Sequence, residues 1–260
     1  MFPRADEPRC AASAGCAALF LTAETPPTAD DRAPCLRTAH RSDVQMPADP
    51  PSRLEPLEKG ADGRRFSPSA ARNREHIVAA LEQMLPESGT CLEVAAGSGE
   101  HAALAAQRMP RWQWLATDRD DEALTSIEAW VQHVDLPNLK SFGCLDLNEA
   151  WSQATASINA VFASNLTHIS PIETTAALFR GAAAHLERGG AVILYGPVFL
   201  PDKPRPESNV AFDAELRARE PSYGVRELGV IAALATKAGF ASPVVREMPA
   251  NNVMLNFSRR

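Results

Sequence analysis

An α/β domain with a mostly parallel sheet, closed by an antiparallel C-terminal hairpin, is the fold this chain predicts. Three observations carry it. From Ser67 onward, helical and strand patterns alternate, as they do when helices cross between parallel strands. The run Thr90-Cys91-Leu92-Glu93-Val94-Ala95 reads as a short buried strand that enters a Gly97-Ser98-Gly99 turn and then a helix. The last two apolar runs are joined only by Met248-Pro249-Ala250-Asn251-Asn252, too short for a parallel crossover.

The elements follow in order. Ile77, Leu81 and Leu85 recur at helical spacing, so Ser69 to Leu85 is a helix stopped by Pro86. Strand one is Thr90 to Ala95, and helix one spans about Gly99 to Arg108 on an alanine-rich, high-propensity run. Strand two ends at Asp118; Asp120 or Asp121 caps a helix with Ala123, Leu124, Ile127 and Trp130 on one face. Strand three is Leu139 to Leu145 and strand four Ile158 to Ser164. A helix from Ile172 to Leu186 is expected to stop at Gly189-Gly190, before strand five, Ala191 to Tyr195. A long Pro-rich excursion, Gly196 to Tyr223, has a helix-like piece around Phe212 to Arg217; loops of this length usually serve function, for instance as a lid. Helix Glu227 to Ala238 and strands Pro243 to Glu247 and Val253 to Phe257 complete the chain.

The first 65 residues differ. Nine prolines lie between Pro3 and Pro56 with no sustained period, a composition expected to stay disordered. Residues 11–21 look like a short signal-peptide core, but acidic residues precede them and they are Ala-rich rather than Leu-rich. A start at Met46 would leave only a short tail. The domain is therefore placed at residues 66–260. Five scattered cysteines without paired spacing read as reduced thiols in a cytoplasmic protein, not a disulfide frame or metal site; Cys91 and Cys144 are expected in the core. A net charge of −6 argues against a broad nucleic-acid surface, and no apolar run is long enough for a membrane span.

The glycine turn and Asp118 carry the chemistry. An acid some 20 residues beyond such a turn is where a ribose diol is held in nucleotide-binding α/β folds. The dinucleotide fingerprint wants a third glycine, where Ala102 stands, and Glu100 would put a carboxylate where a pyrophosphate sits. A zwitterionic or cationic ligand fits better. The phosphate loop is excluded for want of Gly-Lys-Ser/Thr.

Glu93-x-x-x-Gly97-x-Gly99 with Asp118 resembles motif I and the ribose acid of class I S-adenosylmethionine-dependent methyltransferases, whose Rossmann-like, seven-stranded sheet also ends in an antiparallel hairpin. More narrowly, Arg65 to Arg259 resembles the methyltransferase-like 26 proteins. The shared segments are Ser67 to Asn73, Glu93 to His101, Asn165 to Pro171, Tyr195 to Pro197, Glu207 to Asn209, Phe212-Asp213, Tyr223 to Arg226 and Met248 to Asn252. The resemblance implies S-adenosyl-L-methionine as cofactor. Gly97 and Gly99 would line its methionine part, Glu93 brace the loop toward the amino group and Asp118 take the ribose hydroxyls. Asp146 and Leu147 would sit at the adenine, and Asn165 where cofactor and substrate meet. Asn165, His168 and Tyr195 are the candidates for orienting or deprotonating a small-molecule acceptor, with Glu207, Asn209, Phe212 and Tyr223 as a substrate lid. The nucleic-acid methylase tetrad ending Pro-Pro-Tyr/Trp is absent; Asn165-Leu166-Thr167-His168 stands there. The competing readings are a cofactor-binding regulatory or scaffold protein without turnover, and a dehydrogenase, against which Glu100 argues. Oligomeric state is not legible.

Several site residues also have a plainer explanation. Asp118 could cap a helix, Asp146 could be a solvated strand end, and His101 and His168 could be satisfied structural histidines. The four tryptophans are expected to pack.

Overall fold

The computed structural model describes residues 56–151 and 157–260. The expected N-terminal extension thus lies mostly outside the described residues. Its last part does not: β1 (Glu58–Lys59) pairs antiparallel with β2 (Arg65–Phe66). Arg65 is tied to the domain through its N–H on Ser126 Oγ (2.8 Å) and its carbonyl under Trp130 Nε1 (3.3 Å). Ordered structure therefore begins before the expected boundary at residue 65.

Ser67 caps α1 (Pro68–Met84), its hydroxyl accepting from the Ala70 N–H, with Pro68 in the first turn where no donor is lost. Then follow β3 (Gly89–Glu93), α2 (Glu100–Arg108), β4 (Trp112–Asp118), α3 (Asp121–Val134, capped by Asp120) and β5 (Leu139–Cys144). Past residue 157 come β6 (Ile158–Ser164), α4 (Ile172–His185), β7 (Leu186–Gly196), β8 (Val198–Phe199) and α5 (Glu207–Arg219). The chain closes with β9 (Arg226–Glu227), α6 (Leu228–Lys237), β10 (Val244–Met248) and β11 (Asn252–Ser258).

Seven strands form one sheet in the order β10-β11-β7-β6-β3-β4-β5. All neighbours are parallel except at β11, which runs antiparallel to both β7 and β10. The expected hairpin is thus present. Side chains alternate between two apolar layers, as strand geometry requires. Cys91, Trp114, Phe162 and Ile193 face one core with Ile77, Leu81 and Ile127; Leu92, Leu115, Val161 and Leu194 face the other with Leu178, Phe179 and Phe240. All four tryptophans are buried. Among the described residues no helix is long and apolar enough to cross a membrane.

Three local expectations are corrected. The helix expected from Ile172 to Leu186 spans Ile172–His185, but Gly189-Gly190 do not stop it: Leu186 is buried and already pairs with Ile158, so β7 begins before the expected Ala191 and the glycines lie in its irregular start. The short helix-like piece expected around Phe212 to Arg217 in the long excursion is part of a longer helix, α5, of thirteen residues. Cys144 is exposed at the end of β5 rather than in the core, whereas Cys91 is buried.

Gly99 caps α2 in a left-handed conformation (φ 88°). A Cβ there would sit 3.3 Å from Ile127 Cα and Cγ1 and from Trp130 Cδ1, so the glycine lets α2 approach α3. Gly99→Ala is expected to cost about 1–3 kcal/mol from backbone strain and overpacking. A melting temperature within a degree of wild type in thermal denaturation would show that the α2–α3 contact relaxes freely.

Candidate functional site

From β3 the chain steps outward to β4 and β5, then returns to place β6 on the other side of β3. This reversal opens a crevice at the carboxyl ends of β3 and β6, where ligands bind in open α/β sheets. A cavity of about 620 Å³ lies there, within the size range of small-molecule sites. Its walls are Ser69, Arg72, Asn73 and His76 of α1, the turn Ala95 to Ser98, and His101 of α2. Asn165, His168 and Ile169 after β6, Tyr195 of β7, Phe212 of α5 and Pro249, Ala250 and Asn252 of the hairpin also line it.

The turn is built for close approach. Gly97 has φ 60°, and a Cβ on it would meet nothing within 4 Å. Since Gly97 lines the cavity, the space a side chain would take is ligand space. Its N–H donates to Asp118 Oδ2 (2.9 Å), while Asp118 Oδ1 accepts from the N–H groups of Arg119 (2.7 Å) and Asp120 (3.1 Å). The Asp118 carboxylate is therefore one hydrogen bond from the cavity wall. Helix capping falls to Asp120, whose side chain accepts from the Ala123 N–H. Gly99, by contrast, does not line the cavity; its constraint is packing.

Glu93 and Glu100 sit elsewhere than the sequence suggests. Glu93 is buried and accepts from Trp114 Nε1 (2.6 Å). Burial pushes its pKa up to about 8; the indole hydrogen bond opposes the shift and nearby Asp118 adds to it. It supports the strand beneath the turn and does not line the cavity. Glu100 is 2% exposed, yet turns away from the ligand space. Its Oε2 accepts from the Ser67 N–H (2.6 Å) and Ser98 Oγ (3.0 Å), and its Oε1 from Arg74 Nη1 (3.2 Å). The expectation that this carboxylate would repel a pyrophosphate is corrected: its charge is spent on joining α1 to the turn.

Asn165, His168 and Tyr195 do meet at the cavity. Asn165 takes φ 57° directly after β6, a conformation asparagine tolerates, and its N–H donates to the Tyr195 carbonyl (2.8 Å). The His168 ring is buried, stacks edge-on against Phe212 (5.5 Å) and lies against Gly196. Burial raises the Tyr195 phenol pKa, against a hydrogen bond from Asn73 that lowers it.

The remaining candidates divide. Asp146 accepts from the Asn148 backbone and side-chain N–H groups, an Asx turn, and Leu147 packs in the core beneath α4. Of the four residues expected in a lid, Phe212 lines the cavity and Tyr223 packs behind it with Leu216 and Val225. Asn209 is fully buried, its Nδ2 on the Asn251 carbonyl (2.9 Å); Glu207 is exposed at the start of α5. The excursion is stitched to the hairpin and forms a fixed wall. Sequence reasoning missed Asn73 and His101 as a pair: Nε2 of buried His101 meets Asn73 Oδ1 at 2.9 Å. The signal was available, since both lie in segments that carried the resemblance.

Two buried groups set opposite pH slopes. The His101 pKa is lowered to about 4, first by burial and then by Arg74, so stability gained from keeping it neutral grows as pH rises toward 6.5. The Glu93 pKa is raised, so the folded chain holds a proton that the unfolded chain releases near 4.5, and stability falls as pH climbs to about 8. Between pH 6.5 and 8 only the Glu93 slope acts of the two. Glu93→Gln keeps an acceptor for Trp114 and is expected to flatten the decline in urea-unfolding stability across that interval. Parallel curves for variant and wild type would contradict the assignment.

The fold is similar to that of solved methyltransferases. An O-methyltransferase family protein from Burkholderia thailandensis matches with TM-score 0.63 at 18% identity, over 74% of this chain and 57% of that one. A putative O-methyltransferase from Nostoc punctiforme PCC 73102 gives 0.63 and 18%, over 76% and 58%. Human N-acetylserotonin methyltransferase, solved in complex with SAM, gives 0.59 and 14%, over 73% and 52%. The chain thus spans little more than half the length of these proteins, and what it shares with them is the fold. In sequence, residues 64–259 match the model of the family described as protein of unknown function (DUF938), and the chain belongs to that family.

Proposed function

We propose that this chain is an S-adenosylmethionine-dependent methyltransferase of small molecules, akin to the methyltransferase-like 26 proteins. One observation carries the reading: a cavity at the topological switch is floored by Gly97, whose missing side chain leaves it open, and Asp118 stands behind that glycine at the end of β4. The residues present fit such a cofactor. The Asp118 carboxylate uses three of its acceptor positions on backbone donors and keeps capacity for a ribose hydroxyl. Asp146 and Leu147, after β5, are assigned to the adenine end. With Glu100 turned away, the case against a dinucleotide moves to topology: dinucleotide-binding sheets add a sixth parallel strand, whereas here β11 runs antiparallel to β7. Structural neighbours that are methyltransferases support the same reading.

When bound, the cofactor supplies an electrophilic methyl on a sulfonium, and the carbon–sulfur bond breaks with both electrons passing to sulfur. The chain's own task is alignment, since in-line displacement depends on reactant geometry. Asn165, rigid in its left-handed backbone and bonded to β7, orients the acceptor at the cavity mouth. Tyr195 donates a hydrogen bond, and His168 takes the proton when the nucleophile is a hydroxyl or thiol. Phe212 and Ile169 supply apolar walls.

Calorimetry is expected to show S-adenosylhomocysteine binding without NAD binding; tight NAD binding with no homocysteine-ligand signal would overturn the reading. Asp118→Ala is expected to abolish that binding. Asn165→Ala should preserve it and slow single-turnover methyl transfer at least about tenfold by misaligning the acceptor. Gly97→Ala places a methyl group in ligand space, so affinity should fall more than stability, the reverse of the change at Gly99. A binder without turnover would pass the calorimetry and transfer no label.

A further inference from the structure

We infer, resting on the methyltransferase reading, that the strand ahead of α1 is a flap over the cofactor, and that its Leu57 makes a direct ligand contact. The segment precedes the expected start of the domain, yet Leu57 lines the same cavity as Gly97, Asn165 and Tyr195. The base of the flap is fixed. The Arg65 N–H of β2 donates to Ser126 Oγ (2.8 Å), and that same hydroxyl donates to the Ser98 carbonyl (2.7 Å). Ser126 is fully buried, so one shared hydroxyl joins β2 to the glycine turn. Phe66 meets Trp130 edge-on at 5.5 Å, and the Arg64 guanidinium lies 4.7 Å over the same indole. The outer strand is different. Both residues of β1 are exposed, and a two-residue ladder pairs it with β2. Exposed edges with so short a ladder open locally while the rest of a fold stays closed. β1 can therefore lift from the cavity with Arg65 to Ser67 still in place.

Where the flap closes identifies what it covers. The register pairs Glu58 with Phe66, so one residue earlier Leu57 falls opposite Ser67. Ser67 also lines the cavity, and its N–H donates to Glu100 Oε2, which accepts from Ser98 Oγ as well. Leu57 thus stands at the glycine-turn end, over the place of the cofactor's methionine part. It is apolar and only half-buried, between exposed Pro56 and exposed Glu58. A ligand seated over Gly97 covers more of it, and that burial favours the closed flap. Linkage makes the effect reciprocal: the closed flap holds the ligand more tightly by the factor that the ligand holds the flap.

Lys59 makes the motion readable. It is exposed and is the first lysine of the chain, the next being Lys140 in β5. A lysine-specific endoproteinase is applied to the full chain with and without saturating S-adenosylhomocysteine, and the cuts are read by mass. In the free chain, cutting after Lys59 should run at least about tenfold faster than after Lys140, which lies in the central sheet. Bound ligand should slow the Lys59 cut at least about fourfold, because cleavage follows the open population. Leu57→Ala should weaken S-adenosylhomocysteine binding at least about fourfold, the worth of one buried methylene group, and remove most of that protection. Leu57→Met, similar in volume, should bind within about twofold of wild type. Equal cutting at the two lysines overturns the inference, as does a Lys59 rate that bound ligand leaves unchanged. Leu57→Ala affinity within about twofold of wild type overturns the ligand contact. Leu57 belongs to neither large apolar core, so a weaker affinity accompanied by a lower melting temperature of the free variant overturns it too. Wild type that fails to bind S-adenosylhomocysteine overturns the cofactor reading itself, a result distinct from these.

Discussion

One buried carboxylate holds the ligand-facing end of this fold together. Glu100 opens α2, yet its oxygens reach the Ser67 N–H before α1, the Ser98 hydroxyl within the glycine turn and the Arg74 guanidinium. At 2% exposure it has exchanged water for three protein donors, which is the condition under which a buried charge is tolerated. Removing it would leave those donors unsatisfied and free α1 from the turn. Because α1 supplies one wall of the cavity and the turn supplies its floor, the distance between them depends on this contact. His101, one residue further on, repeats the connection through Asn73.

The opposite wall is fixed by a cation. Arg226 donates to the carbonyls of Thr167, Ser170 and Ser222, clamping the segment that carries His168 to the chain before β9. The Gly224 N–H adds a bond to the His168 carbonyl, and Asp213 of α5 accepts from the Val225 N–H. At the far end of α5, Asn209 and Ser208 bind Asn251 in the hairpin turn. Every segment around the cavity is thereby cross-linked to a neighbour distant in sequence. Such pre-organisation suits a reaction whose rate depends on alignment.

The pattern explains what was legible in the sequence. Periodicity and turn residues located β6 to the residue and placed β4, α3 and the terminal hairpin closely, because in these the local signal and the tertiary outcome agree. It missed the start of β7, where Leu186 is already buried beside Ile158 ahead of the expected Ala191, and caught only the later part of α5, whose apolar positions Phe212 and Leu216 are too few to mark its start at Glu207. In the site, Gly97 and Asp118 could be named because a turn and a strand end mark them, and Asn165, His168 and Tyr195 through the resemblance. The direction of Glu100 could not: a side chain at a helix N-terminus may face the ligand or the preceding segment, and only the docking of α1 decides. The Asn73–His101 pairing is set by that same docking, although both residues lie in segments that carried the resemblance.

The two acids at the ends of β3 and β4 show how one sheet edge separates roles. Glu93 and Asp118 stand on adjacent parallel strands, close enough to influence one another. Asp118 lies where the chain turns back and collects three backbone N–H groups. Glu93 has a single indole donor and no water, so it retains a proton to about pH 8. One acid therefore carries the strand through the Trp114 indole and the other backs the turn through the Gly97 N–H, so two neighbouring strand ends divide support of the sheet from support of the turn.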